Sequence, residues 1–141
     1  MTKNKEIKDS SEEGNENYKP PLGIICQGSA GTGKTFLINA LKQKLGEELM
    51  ILAPTGSAAH LIDGNTIHDK LMFRPGNELT FEGERFHKFD ENMEKVKFIV
   101  IDESSMVGLS LMGKIDKRLR LTGCPDRPFG GYNMIFVGDV H

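Results

Sequence analysis

An α/β fold, a parallel sheet covered by helices, is predicted by three observations. Four short apolar runs recur along the chain, at 22–26, 49–54, 98–103 and 134–139. Each is unbroken by polar residues until its end, as in strands buried on both faces. Between the runs, apolar residues recur at helical spacing, and strands alternating with helices build parallel sheets. Finally, the first run leads directly into a glycine-rich turn and then an amphipathic helix, the context of a phosphate-binding loop.

That turn reads Gly28-Ser29-Ala30-Gly31-Thr32-Gly33-Lys34-Thr35. Gly28, Gly31 and Gly33 permit a tight backbone turn in which successive N–H groups, those of Ser29, Ala30 and Thr32 among them, aim at phosphate oxygens. Lys34 is expected to reach the outer phosphates and Thr35 to place its hydroxyl on a magnesium ion, so ATP and Mg2+ are the expected cofactors. The following helix adds the positive end of its dipole. An accidental glycine-rich turn would not need a strand before it, a helix after it and Lys-Thr at this spacing.

The first helix carries Leu37, Ile38, Leu41 and Leu45 on one side, and Gly46 is a natural stop. After the second apolar run, the small residues of 54–59 allow a ligand to approach the backbone closely. Thr66-Ile67-His68-Asp69 reads as a capped helix start, with Thr66 as N-cap, which explains the segment structurally. The stretch 73–97 is expected to be an insertion, since it is charged, holds Pro75-Gly76 and Gly83, and shows no clean period. Its aromatics, Phe73, Phe81, Phe86 and Phe89, can form a small core tethering a loop or stack on bases.

Asp102 and Glu103 close the third run, as acids close a Walker B strand. Asp102 is expected to hold magnesium opposite Thr35, and Glu103 to orient or deprotonate the attacking water. The structural alternative is a pair of acids capping the next helix. Leu111, Met112, Ile115 and Leu119 then mark a helix, and Gly138-Asp139 ends the fourth run, at the phosphate site or in an ordinary turn.

At 141 residues the chain suits one domain. A net charge of -2 excludes a global basic footprint but leaves room for a local nucleic-acid face. Cys26 and Cys124 show no metal or redox spacing, and Cys26 is expected to be a small buried strand residue. No apolar stretch reaches the length of a membrane span, so no membrane partner is expected. Residues 1–20 read as a disordered polar tail with neither a secretion nor a transit signal, and 21–141 as the domain.

Taken together, these spacings resemble the Pif-one-like DNA helicases, relatives of RecD in helicase superfamily 1B. The matching elements are Gly-Ser-Ala-Gly-Thr-Gly-Lys-Thr (28–35), Ala-Pro-Thr-Gly-Ser-Ala-Ala (53–59) and Gly-Asn-Thr-Ile-His (64–68). They continue with Ile-Asp-Glu-Ser-Ser-Met-Val (101–107), Arg-Pro-Phe-Gly-Gly (127–131) and Val-Gly-Asp-Val-His (137–141). The resemblance covers about 22–141 and implies a RecA-like P-loop NTPase domain with a small insertion before the Walker B strand. It implies ATP and magnesium at Lys34, Thr35, Asp102 and Glu103, with Asp139 coupling the γ-phosphate to movement. Thr55, Thr66 and His68 fall in segments that line the single-stranded DNA track in this family.

An ATP-dependent DNA helicase acting 5′ to 3′ in DNA repair, recombination or telomere maintenance, in the nucleus, is what the resemblance implies. Two departures from the family pattern stand out. The tail shows no counterpart of the upstream glutamine motif, and the chain stops one residue before the glutamine that follows Gly-Asp-x-x. The second RecA-like domain is therefore expected to be missing, leaving a front half that binds ATP but does not unwind DNA alone. The other readings are an inactive nucleotide-binding remnant of a mobile element and a small P-loop kinase, which Asp102-Glu103 disfavours.

Overall fold

A computed structural model describes residues 23–28, 32–74 and 81–139. Five parallel strands form one sheet: β1 (Gly23–Gly28), β2 (Leu49–Ala53), β3 (Asn65–Thr66), β4 (Phe98–Ile101) and β5 (Asn133–Asp139). Their spatial order is β1-β5-β4-β2-β3. The helices are α1 (Thr32–Leu45), α2 (Gly56–Leu61), α3 (Ile67–Lys70), α4 (Glu84–Met93) and α5 (Leu109–Arg120). The expected α/β architecture is present. The expected tail at 1–20, the turn residues Ser29, Ala30 and Gly31, and Pro75-Gly76 lie outside the described residues.

Side chains alternate across a strand, so an unbroken apolar run feeds two cores at once. Met50 and Leu52 of β2, Ile99 and Ile101 of β4, and Met134 of β5 join Phe89, Met93, Ile115, Leu119 and Tyr132 in one cluster. Their neighbours Ile51, Ala53, Val100, Ile135 and Val137 point the other way, into a second cluster with Ile38, Ala58, Ala59 and Ile62. Helices α3, α4 and α5 thus cover one face and α1 and α2 the other. Burying each large aliphatic side chain stabilises the fold by roughly 1.5–3 kcal/mol.

Three features differ from the sequence expectation. Much of 73–97 is the helix α4, whose Phe89 and Met93 are fully buried in the main core. Two apolar residues four apart seat this ten-residue helix, for which the sequence shows no clean period. Cys26 is only partly buried and Ile25 is 72% exposed, since β1 lies at one edge of the sheet among the described residues. The two-residue β3 pairs with β2 through Leu52–Asn65 and Ala53–Thr66, and is too short to show any period.

Candidate nucleotide and nucleic-acid site

All five strands run the same way, so their C-terminal ends meet along one edge, where open α/β sheets bind ligands. Gly28 at the end of β1 stands in register with Asp139 at the end of β5. The motif residues Thr32, Gly33, Lys34 and Thr35 form the first turn of α1, where helical N–H groups have no intrahelical acceptor. Asp102 follows β4 directly, and its N–H donates to the Leu52 carbonyl at 2.8 Å.

Lys34 Nζ lies 2.9 Å from Asp102 Oδ1, with the two side chains 18% and 2% exposed. The two motifs, 68 positions apart, are therefore brought together as the sequence anticipates. The contact is ionic rather than a well-aligned hydrogen bond. Asp102 Oδ1 is buried with no hydrogen-bond partner among the described residues. The Lys34 ammonium offsets the cost of burying this carboxylate, which keeps lone pairs for a further cation or donor. Its chemistry fits a hard divalent cation.

Glu103 adopts a left-handed conformation, φ 49° and ψ 44°, and begins a 3₁₀ turn over Ser104–Met106. Non-glycine residues pay about 1–2 kcal/mol for this region, and such strain gathers where a side chain must be aimed. The turn also packs close to β5: a Cβ at Gly138 would come within 3.3 Å of Ser104 Oγ. Lys34, Thr35, Asp102 and Glu103 line a cavity of about 580 Å³ together with Phe36, Ala58, Leu61 and Ile62. A second cavity of about 430 Å³, bordered by Lys42, Glu47, Asp63 and Lys95, takes in Gly64 and Asn65 but none of Lys34, Thr35, Asp102 and Glu103.

The three residues expected along a DNA track lie at the same sheet edge, beyond β2 and β3. Thr55 caps α2, its hydroxyl accepting from Ala58 N at 3.2 Å. Thr66 caps α3 as expected, accepting from Asp69 N at 3.1 Å. Acting as acceptors in the caps leaves each hydroxyl a proton to donate. His68 is exposed, its ring meeting Phe73 edge-on at 5.9 Å.

Known proteins resemble this chain in sequence and in fold. A family model described as PIF1-like helicase matches residues 5–141. The chain belongs to the PIF1-like helicase family. That match begins inside the stretch expected as a tail. The chain is 35% identical over 127 residues to the ATP-dependent DNA helicase PIF1 of Emericella nidulans, covering 82% of this chain and 17% of the relative. It is 33% identical over 124 residues to the ATP-dependent DNA helicase Pif1 of Bdellovibrio bacteriovorus, covering 82% of this chain and 28% of the relative. Among solved structures, Pif1 helicase from Bacteroides in complex with ADP-AlF3 and single-stranded DNA superposes with a TM-score of 0.72 at 30% identity. That superposition spans 99% of this chain and 32% of the other. The PIF1-like chain thus spans between about a sixth and a third of these three proteins, and its sheet is RecA-like.

Sequence reasoning did not single out Arg118, which is buried among aromatics. It sits in the run Lys117-Arg118-Leu119-Arg120, where nothing distinguishes a buried cation from a solvated one. Nor did it anticipate that Phe-Gly-Gly (129–131) lies at the opposite edge of the sheet, immediately before β5. Among the described residues, no helix is long and apolar enough to cross a membrane.

Proposed function

We propose that this chain is the nucleotide-binding RecA-like domain of an ATP-dependent DNA helicase. The observation that carries the reading is the Lys34–Asp102 pair at the mouth of a cavity also lined by Thr35 and Glu103. In this reading the backbone of Gly28, Ser29, Ala30, Gly31, Thr32 and Gly33 cradles the phosphates. Lys34 exchanges part of its contact with Asp102 for the outer phosphate oxygens. Thr35 and Asp102 would hold magnesium, which supplies charge neutralisation when bound. Glu103, aimed into the cavity by its left-handed backbone, orients the attacking water and accepts its proton. Asp139, in register with Gly28, senses the terminal phosphate.

Single-stranded DNA would pass along Thr55, Thr66 and His68, held by backbone contacts and stacking with little sequence preference. The Bacteroides relative bound to ADP-AlF3 and single-stranded DNA supports this assignment of ligands. The relatives come from a fungus and a bacterium, so the reading places the protein with DNA, and in a nucleus only where the source has one.

Titration of the purified chain with a fluorescent ATP analogue and magnesium tests the site. Lys34→Ala removes a charge-assisted contact of about 1.5–3 kcal/mol, so affinity should fall at least about tenfold. Glu103→Gln should keep the affinity and lose hydrolysis. Unchanged binding by Lys34→Ala would end the assignment, and lost binding by Glu103→Gln would make Glu103 a structural residue.

A further inference from the structure

Arg118 projects from α5 into the main core side and is only 7% exposed. Its Nη1 donates to the Leu71 carbonyl at 2.8 Å and approaches the Met72 carbonyl at 3.4 Å. Its guanidinium carbon stands 3.6 Å from the centre of the Phe81 ring and 4.8 Å from that of Phe73. Arg85 of α4 adds a second bond to the Met72 carbonyl, at 2.8 Å, and a second cation over Phe81 at 4.9 Å. A planar, delocalised cation can bond to a carbonyl edge-on while stacking on rings face-on, which an ammonium cannot.

The residues gripped are the end of α3 and both flanks of 75–80. Met72 itself is left-handed, at φ 60°. Phe73 N donates to the His68 carbonyl at 2.8 Å, and the Phe73 ring meets the His68 ring edge-on. A continuous stack therefore runs from Arg118 through Phe73 to His68, from a buried cation to an exposed imidazole. Lys114 and Lys117, exposed on the same helix, give it a solvated basic face without Arg118.

We infer that Arg118 is a positioning residue that fixes the His68 imidazole for contact with single-stranded nucleic acid, acting through Phe73 and the Leu71 and Met72 carbonyls. This rests on the reading that His68 faces the DNA track. A residue holding the fold in general would loosen both ligand sites together. Arg118 acts on one of them, because the Leu71 and Met72 carbonyls it bonds and the Phe73, Phe81 and Phe89 rings it faces belong to residues that do not line the cavity of Lys34.

The test uses the whole 141-residue chain with Arg118→Lys and Phe73→Leu, three measurements being made on each. These are the His68 ring-proton resonances by NMR, assigned with His68→Gln, the affinity for fluorescein-labelled oligothymidylate, and the affinity for a fluorescent ATP analogue. Both variants should move the His68 resonances towards those of a free imidazole. Oligothymidylate binding should weaken about fivefold or more, the lower end of what one stacking contact contributes, and ATP-analogue affinity should stay within about twofold. Phe73→Leu keeps the carbonyl bonds, so it reports on the stack even if Arg118→Lys folds poorly. Unmoved His68 resonances, or both affinities falling together, overturn the inference while leaving the DNA reading intact. No oligothymidylate binding by the unaltered chain would remove the DNA reading and this role with it.

Discussion

Glu103 at the C-terminal edge of the sheet holds φ 49°, and Phe129 at the N-terminal edge holds φ 51°. Both belong to motifs specific enough to recognise in the sequence, and both are non-glycine residues in a region that favours glycine. Their surroundings differ. Phe129 N donates to Asp116 Oδ1 at 2.6 Å, Asp116 is itself bonded by Arg120 Nε, and the Phe129 ring meets Phe136 at 5.7 Å. Among the described residues, no buried side-chain polar atom near the turn lacks a partner. Glu103 instead adjoins a cavity and the buried Asp102 carboxylate, whose Oδ1 faces the Lys34 ammonium at 2.9 Å. Strain and motif specificity alone do not mark chemistry; strain beside a cavity and a buried ion pair does.

The largest effect that would sharpen the contrast is at Gly130. A Cβ there would lie 2.3 Å from the Leu119 carbonyl oxygen, at φ 67°. Because the clash is with backbone rather than a flexible side chain, Gly130→Ala should cost on the order of 3 kcal/mol or more, if it folds at all. Urea denaturation measures the loss. The folded fraction should bind the ATP analogue with the affinity of the unaltered chain. A large change in that affinity would mean that the two edges communicate and that Phe-Gly-Gly is part of the nucleotide site.

Next in size is a pair of glycine substitutions expected to have opposite signs. Glu103→Gly relieves left-handed strain and removes a half-exposed side chain, so stability should rise by up to about 1 kcal/mol while hydrolysis is lost. Phe129→Gly relieves the same strain but removes a packed ring, and should lower stability by about 1–3 kcal/mol. Chemical denaturation of both variants gives the signs directly. If Glu103→Gly is destabilising, its conformation is supported by contacts of its own and does not store strain for function.

Much of this was legible in the sequence for one physical reason: strands buried on both faces need unbroken apolar runs, and β2, β4 and β5 have them. The approach of the 28–35 turn to Asp102 was legible because one follows β1 and the other β4, and a parallel sheet must bring those strand ends to one edge. The α3 start at Thr66 was legible because capping is local. By contrast, the two-residue β3 exists only through its pairing with β2. The burial of Phe89 and Met93 was masked by the charges and glycines around α4. Arg118 was invisible because its role depends on Phe73 and Phe81, far away in sequence, converging on one side of α5. Backbone signs such as the left-handed Glu103 leave no compositional trace at all.

The smallest predicted effect separates the two edges by pH. Tyr132 ends the Phe-Gly-Gly turn, fully buried, with its hydroxyl 2.9 Å from Thr122 Oγ1. Burial pushes its pKa well above the ordinary value of 10.0; the Thr122 hydrogen bond opposes this and the Asp90 charge adds to it. The fold therefore prefers the neutral phenol. Its contribution to stability is complete below the unfolded-state pKa of 10.0 and is lost as pH climbs above it towards the folded value. One proton released on unfolding but not in the native state gives a slope of about 1.4 kcal/mol per pH unit. Urea denaturation of the unaltered chain should show this extra loss between roughly pH 10 and 11, and Tyr132→Phe should lack it, although leaving Thr122 without its partner lowers its stability at neutral pH. ATP-analogue affinity, governed at the other edge, should not follow that slope while the chain stays folded. Equal slopes for the two proteins would mean that water reaches the phenol and that the N-terminal edge is less closed than its packing indicates.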